Sequence, residues 1–220
     1  MINHQVQTAL NCQNLIGESC FWDHRDNSLW WTDIEGKKIW NLDGKNQSTV
    51  FNLPDRACFI LPRENDGFVI GFPKHISISN HNLTSFKKIC DVEKEIKETR
   101  INDAKVDPLG GIVFGTYNES PDKRNRKPIA NLYRLSPDCS LTSLLNNITV
   151  SNGIAFSQKK NIMYFADTPT GKIRKFQYSD NFKELKALDS TFYFEGIGEP
   201  DGGTIDSDNN YWSARVRGNV

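Results

Sequence analysis

Four residues with side-chain oxygen stand at one register of a recurring segment: Glu18, Asn102, Asn152 and Asp201. Each opens a largely apolar stretch and lies five residues ahead of the turn position that closes it (Asp23, Asp107, Ser157 and Asp206). Two carboxylates and two carboxamides form a hard-donor set suited to Ca²⁺, Mg²⁺ or Mn²⁺, and zinc also accepts carboxylate oxygen. The four histidines, His4, His24, His75 and His81, show no metal-ligand spacing, so no His/Cys set demands zinc. An ion held by so few protein ligands keeps positions open for water and substrate. Ordinary turn chemistry accounts for each of these residues taken singly, because Asp and Asn serve turns. Turn formation does not require one register to carry oxygen in four separate segments, however, and that recurrence points to a shared site.

Bringing these residues together requires a symmetric scaffold. A gapless shift of 134 places Glu18 on Asn152, Trp22 on Phe156, Leu29 on Met163, Asp33 on Asp167 and Ile39 on Ile173. Shifts of 50 and 49 carry Asn102 to Asn152 and Asn152 to Asp201, and the 84 residues from Glu18 to Asn102 make two units of 42. Periods of roughly 40–50 residues holding several short strands indicate a β-propeller. The innermost strand of each blade then begins at the mouth of the central channel, where equivalent positions converge.

The first unit predicts strands over 19–22, 29–32, 38–42 and 48–51, with Asp43-Gly44 marking a hairpin. The second covers 57–61, 67–71, 75–79 and 85–90, and the third 104–106, 112–116, 130–135 and 143–145. An insertion over 119–128, polar and bounded by proline, is an exposed loop. The fourth unit covers 154–156, 163–166, 172–178 and 187–194, and a fifth begins with 204–205 and 211–215. Trp22, Trp30, Trp31, Phe156 and Tyr164 are assigned to packing between blades, and Asp33 and Asp167 to structural turns. The mixed-charge run from Asp91 to Glu98 is a solvated loop or short helix. One propeller domain over 1–220 is therefore expected, incomplete in its fifth unit.

Lys+Arg and Asp+Glu both number 27, so no global field favours nucleic acid or an anionic membrane. No apolar run approaches the roughly 20 residues of a membrane span. The first ten residues lack a signal-peptide layout, and five scattered cysteines without a Cys-x-x-Cys pair fit reduced thiols. A cytoplasmic protein, monomeric or weakly oligomeric, is the expectation.

Four ordered motifs resemble the gluconolactonase-like propellers that include senescence marker protein-30 (regucalcin) and bacterial sugar lactonases. They are Gly17–Asp23 with Leu29–Ile34, Arg100–Asp103 with Lys105–Pro108 and Gly115-Thr116, Ser151–Phe156 with Met163–Asp167, and Pro200–Gly202 with Tyr211–Arg215. The resemblance implies a six-bladed propeller with one divalent cation (Ca, Zn, Mg or Mn) held by Glu18, Asn152 and Asp201. It implies substrate contacts at Arg100 and Asn102 and at an acidic residue near Glu119, with Ser120 the competing position, and it places the general acid/base at Asp201. Family members continue beyond the Pro-Asp-Gly segment by more than a blade. The sequence is therefore expected to be a truncation, or a shortened relative that closes differently.

On this basis the expected activity is hydrolysis of a sugar lactone to its aldonic acid. The ion would polarise the carbonyl, Asp201 would activate water, and the planar Arg100 guanidinium would bind hydroxyls or a carboxylate. Two alternatives stay open: a non-catalytic propeller that binds a divalent cation, and a metal hydrolase of the same site acting on another ester.

Overall fold

From Gly17 to Asn52 bulky apolar residues alternate with polar ones, and short polar turns interrupt them. Such segments form antiparallel strands that bury one face. The computed structural model describes residues 7–123, 125–193 and 195–218. Strands β1 (Gly17–Asp23), β2 (Ser28–Asp33), β3 (Lys38–Asp43) and β4 (Ser48–Asn52) pair in sequence order as one four-stranded sheet. The second sheet holds β5 (Phe59–Pro62), β6 (Phe68–Phe72), β7 (His75–Ser79) and β8 (Phe86–Asp91). The third holds β9 (Thr99–Val106), β10 (Ile112–Asn118), β11 (Ala130–Leu135) and β12 (Leu141–Ile148). In the fourth are β13 (Ser151–Ser157), β14 (Ile162–Asp167), β15 (Lys172–Tyr178) and β16 (Leu185–Tyr193), and the fifth pairs β17 (Glu199–Ile205) with β18 (Tyr211–Val216).

The inner strands start earlier than the sequence pattern predicts. Asn102 is not the first residue of β9, which begins at Thr99, and Asp201 follows the first two residues of β17. Polar side chains at the channel end hide the strand start from a search for apolar alternation. In the second sheet the shift is opposite, since Ala57 and Cys58 precede the strand. Phe194, the expected end of the last strand of the fourth unit, lies outside the described residues, as do the first six residues and Arg124 of the 119–128 loop.

The core is a series of apolar layers, one between each pair of successive sheets. Trp30, Ile39, Ile60, Phe68 and Phe72 fill the first, and Phe59, Ile76, Ile101 and Phe114 the second. Val113, Ile154, Phe165 and Phe176 fill the third, while Tyr164 and Ala166 with Ile205 and Tyr211 form the fourth. Trp30, Phe156 and Tyr164 thus pack in these layers. Trp22 does not: it is 44% exposed, one residue beyond Phe21, which takes the packed face. Trp31 likewise lies on the opposite face from Trp30, stacked on Trp40 and donating to Asn14 Oδ1. Consecutive strand residues point to opposite faces, so an aromatic pair cannot serve one layer.

Turn positions bind the blades internally and to one another. Asp23, Asp107 and Asp206 each accept a nearby backbone N–H. Asp107 also forms a buried 2.6 Å ion pair with Arg134, whose guanidinium lies over Phe182 in the loop between β15 and β16. Asp33 takes the N–H groups of Leu15, Ile16 and Gly36, and Asp167 those of Thr149 and Val150. Within the charged run, Glu93 turns inward instead of facing water. Its Oε1 accepts from Thr116, Asn131 and Tyr133, anchoring the loop between β8 and β9 on the third sheet.

At Gly115 the third sheet closely approaches the fourth, because a Cβ there would overlap the Ser151 side chain. A Gly115→Ala substitution should lower the unfolding free energy by about 1–3 kcal/mol through overpacking. Adding Ser151→Gly should recover much of the loss. Denaturant melts of the two single variants and the double variant measure that coupling.

Candidate active site at the inner-strand bulges

The inner strands of four sheets contain one more residue than their partner strand at the same level. Ser19 and Cys20 face Trp31, since Glu18 pairs Thr32 and Phe21 pairs Trp30. Gly153 and Ile154 face Phe165, residues 102–103 face Gly115, and residues 201–202 face Ala214. Each is a β-bulge, which kinks a strand and re-aims the side chains beside it. Glu18 and Asn152 are the last paired residues before their bulges, whereas Asn102 and Asp201 lie within theirs. The pairing register therefore differs by one residue between these two kinds. Ser19 (φ 55°) and Gly153 (φ 64°) take the left-handed conformation that such kinks use. The inner strand of sheet two pairs with β6 without a bulge, and the residue one 42-residue unit beyond Glu18 is the fully buried Ile60.

The bulges also join the sheets. Ser19 Oγ accepts the Ile60 N–H at 3.0 Å, and Asp103 Oδ2 accepts the Ile154 N–H at 3.1 Å. Tyr211 donates to the Gly153 carbonyl at 2.9 Å and stacks on Tyr164.

A continuous polar relay runs from sheet to sheet. Arg56 grips both oxygens of Glu119 at 2.7 and 3.0 Å and reaches Glu35 at 3.1 Å. Glu119 Oε1 also accepts from Arg100 Nε at 3.2 Å, so Glu119 faces Arg100 while the Ser120 N–H closes a turn onto Asn118. Arg100 Nη1 donates to Asn102 Oδ1 and the Ile101 carbonyl. Asn102 Nδ2 then donates to the Ser151 carbonyl and to Asn152 Oδ1, at 2.9 and 3.2 Å. Asn152 Nδ2 donates to Thr168 Oγ1, which donates to the Pro200 carbonyl beside Asp201.

This relay fixes both amides. The Thr168 hydroxyl spends its proton on Pro200 and offers a lone pair to Asn152, so the Asn152 oxygen points away from Thr168 toward Asn102. That oxygen has a second lone pair free for a ligand. Asn102 presents nitrogen, not oxygen, to Asn152, and its own oxygen is engaged by Arg100. Of the four residues at the shared register, Asn102 thus acts as a connector.

The acids fall into two groups. Burial pushes the Glu119 carboxyl up, but the hydrogen bonds and charges of Arg56 and Arg100 outweigh it and hold the group below its ordinary range. Burial raises Glu18 to about 7, with further upward push from the negative charges of Asp201 and Asp103 against the pull of Arg100. Asp103 rises to about 6, chiefly by burial, and Asp201 rises for the same reason. Asp201 thus adds to the upward push on Glu18 although the two stand 183 positions apart in the sequence. Arg100 acts on Glu18 and Lys105 on Asp103 without overcoming burial, and a divalent ion would neutralise the remaining concentration of negative charge. Among the described residues no three His, Cys, Asp or Glu side chains cluster as metal ligands, so a cation here would depend on the Asn152 oxygen alongside two carboxylates.

The sequence reading did not single out Arg56, Asp103, Thr168 or Tyr211. Asp103 adjoins Asn102 in the Arg-Ile-Asn-Asp stretch and Thr168 follows Asp167, so adjacency to a candidate was the available signal. Arg56 carries no such signal, because its loop reaches Glu119 only in three dimensions.

The family model for the SMP-30/Gluconolactonase/LRE-like region matches residues 16–220. The L-arabinolactonase of Azospirillum brasilense is 30% identical over 218 residues, covering 97% of this chain and 71% of that protein. A luciferin-regenerating enzyme structure superposes with a TM-score of 0.86 at 28% identity, over 93% of this chain and 70% of that one. A regucalcin from Agrobacterium tumefaciens, described as calcium-binding, gives 0.80 at 20% identity over 92% and 68%, a likeness of fold.

With folded-state values above the ordinary carboxylate range, Glu18 and Asp103 stabilise the fold below about pH 4. That contribution is lost as pH rises through about 6 and 7. Protein stripped of cations should accordingly unfold more easily at pH 8 than at pH 5, and Glu18→Gln should shrink the difference. Chemical denaturation at the two pH values reads both effects.

Proposed function

The chain belongs to the SMP-30/gluconolactonase/LRE-like family, and from that premise we propose that it is a metal-dependent hydrolase opening a sugar lactone to its aldonic acid. The observation that carries this reading is the relay linking Arg100, Asn102 and Asn152 beside the coupled acids Glu18 and Asp201. Glu18, Asn152 and Asp201 would hold the divalent cation, whether Ca, Zn, Mg or Mn. When bound, such an ion supplies Lewis-acid polarisation of a carbonyl.

The chain's own residues supply the remaining work. Asp201, raised above the ordinary carboxylate range by burial, is a stronger base than a solvated aspartate. It takes a proton from the attacking water as oxygen bonds to the lactone carbonyl carbon. The bond from that carbon to the ring oxygen then breaks, and Asp201 returns the proton to the departing oxygen. The products are a hydroxyl and a carboxylic acid on one open chain. Arg100, locked in plane by Glu119, Asn102 and the Ile101 carbonyl, orients the sugar hydroxyls with Asn102. Glu119 holds Arg100 in place and offers its outer edge to the same hydroxyls.

Chelator should abolish aldonolactone hydrolysis and added divalent cation should restore it. Asp201→Asn should lower kcat by about a hundredfold or more, in the range general acid–base groups supply, while retaining much of the cation binding. A chain that binds cation but opens no lactone in a panel would instead be a cation-binding propeller. Turnover confined to aryl esters or phosphotriesters would mark the ester alternative.

Thr168→Val should free the Asn152 amide to rotate and weaken cation binding by about tenfold, as loss of a ligand-orienting partner does. Calorimetric titration of the variant with the metal alone tests it.

A further inference from the structure

The relay leaves Arg126 unused. Arg126 lies in the loop after β10, its Nε on the Ser120 carbonyl at 2.9 Å and its guanidinium 4.7 Å from the centre of the Tyr117 ring. The Arg100 guanidinium is also 4.7 Å from that ring centre, and Tyr117 pairs with Arg100 across β10 and β9. The two cations are therefore no more than roughly 9 Å apart, with one aromatic ring as their common support. Arg56 and Arg100 share the Glu119 carboxylate, and Arg56 also meets Glu35. Arg126 has no carboxylate within ion-pair distance among the described residues. Stacking and the Ser120 contact fix the plane of its guanidinium and leave its terminal nitrogens available.

A guanidinium fixed in this way is suited to bidentate capture of an oxyanion. We propose that Arg126 is a specificity-determining residue, binding an anionic group (phosphate, sulfonate or carboxylate) at the end of the substrate remote from the lactone carbonyl. The proposal rests on the lactonase reading, since Arg100 is taken to hold the body of the sugar. A substrate lying from Asp201 past Arg100 would carry its far end toward Tyr117 and Arg126. A neutral hydroxyl there would gain little from a cation, whereas an anion would gain a charge-assisted pair.

The test has a catalytic and a binding arm. Initial rates on glucono-δ-lactone and on its 6-phosphate ester, with divalent cation present, should show wild type favouring the phosphorylated lactone. Arg126→Gln and Arg126→Met should lower kcat/KM for that substrate by about tenfold, the loss of one charge-assisted pair, and leave the neutral lactone within about twofold. Arg126→Lys should recover part of the preference. The binding arm titrates gluconate and 6-phosphogluconate by calorimetry and requires no turnover. Wild type should prefer the phosphorylated acid, and Arg126→Gln should erase that preference. Equal losses on neutral and anionic lactones, or equal binding of the two acids by wild type, would overturn the assignment. Absence of turnover on both lactones with the binding preference intact would defeat the lactonase reading and leave the anion site standing.

Discussion

An extra residue in an inner strand is the constraint from which the site follows. A regular antiparallel strand sends alternate side chains to its two faces, and in this fold both faces are taken up by packing between sheets. The inner strand of sheet two obeys that rule, and Ile60 is buried in an apolar layer. The bulges at 19–20, 102–103, 153–154 and 201–202 break the alternation and bring a polar residue beside each kink. Without the kink, a carboxylate or amide would enter a layer of Phe and Ile at substantial desolvation cost. The same bulges supply the groups that tie successive sheets together, through Ser19 to Ile60, Asp103 to Ile154 and Gly153 to Tyr211. Site and joint are one structural feature.

Electrostatics divides the mouth into two regions. Around Glu119 the charges are matched, because Arg56 and Arg100 surround one carboxylate and keep it ionised. Around Glu18 they are not, since Asp201 and Asp103 add negative charge to an already desolvated group. Burial acts on both acids; two guanidiniums hydrogen-bonded to Glu119 outweigh it there, whereas the pull of Arg100 alone does not overcome it at Glu18. The matched region is held by ion pairs and hydrogen bonds, while the carboxyls of the other region are held above their ordinary range. The hydrogen-bonded relay connects them, so the orientation of Asn152 in one depends on the arginines of the other.

Packing gives this arrangement its stiffness. Phe59, Phe68, Phe114 and Phe165 are wholly buried between sheets, and Gly115 lets β10 of the third sheet approach β13 of the fourth without a Cβ between them. The glycine of the Gly115-Thr116 step therefore serves close approach. Its neighbour Thr116 hydrogen-bonds Glu93, anchoring the loop that leads into β9 and hence Arg100.

Much of this was legible in the amino-acid order. The gapless 134-residue correspondence aligns two sheets whose bulges share the same form, and the turn aspartates and strand alternation locate nearly every strand. Glu18, Asn102, Asn152, Asp201, Arg100 and Glu119 are recoverable as candidates because they recur in register or lie in matching motifs. Tertiary structure decided which contacts each one makes. Whether a residue precedes a bulge or sits inside it depends on the neighbouring strand's pairing, which side-chain periodicity does not encode. Which atom of an amide faces the mouth depends on partners such as Thr168 and Arg100, whose hydrogen bonds exist only once separate sheets have packed. Trp22 and Trp30 show the same limit in the core. Both are large and aromatic in adjacent strands, yet geometry sends one into an apolar layer and leaves the other partly in water.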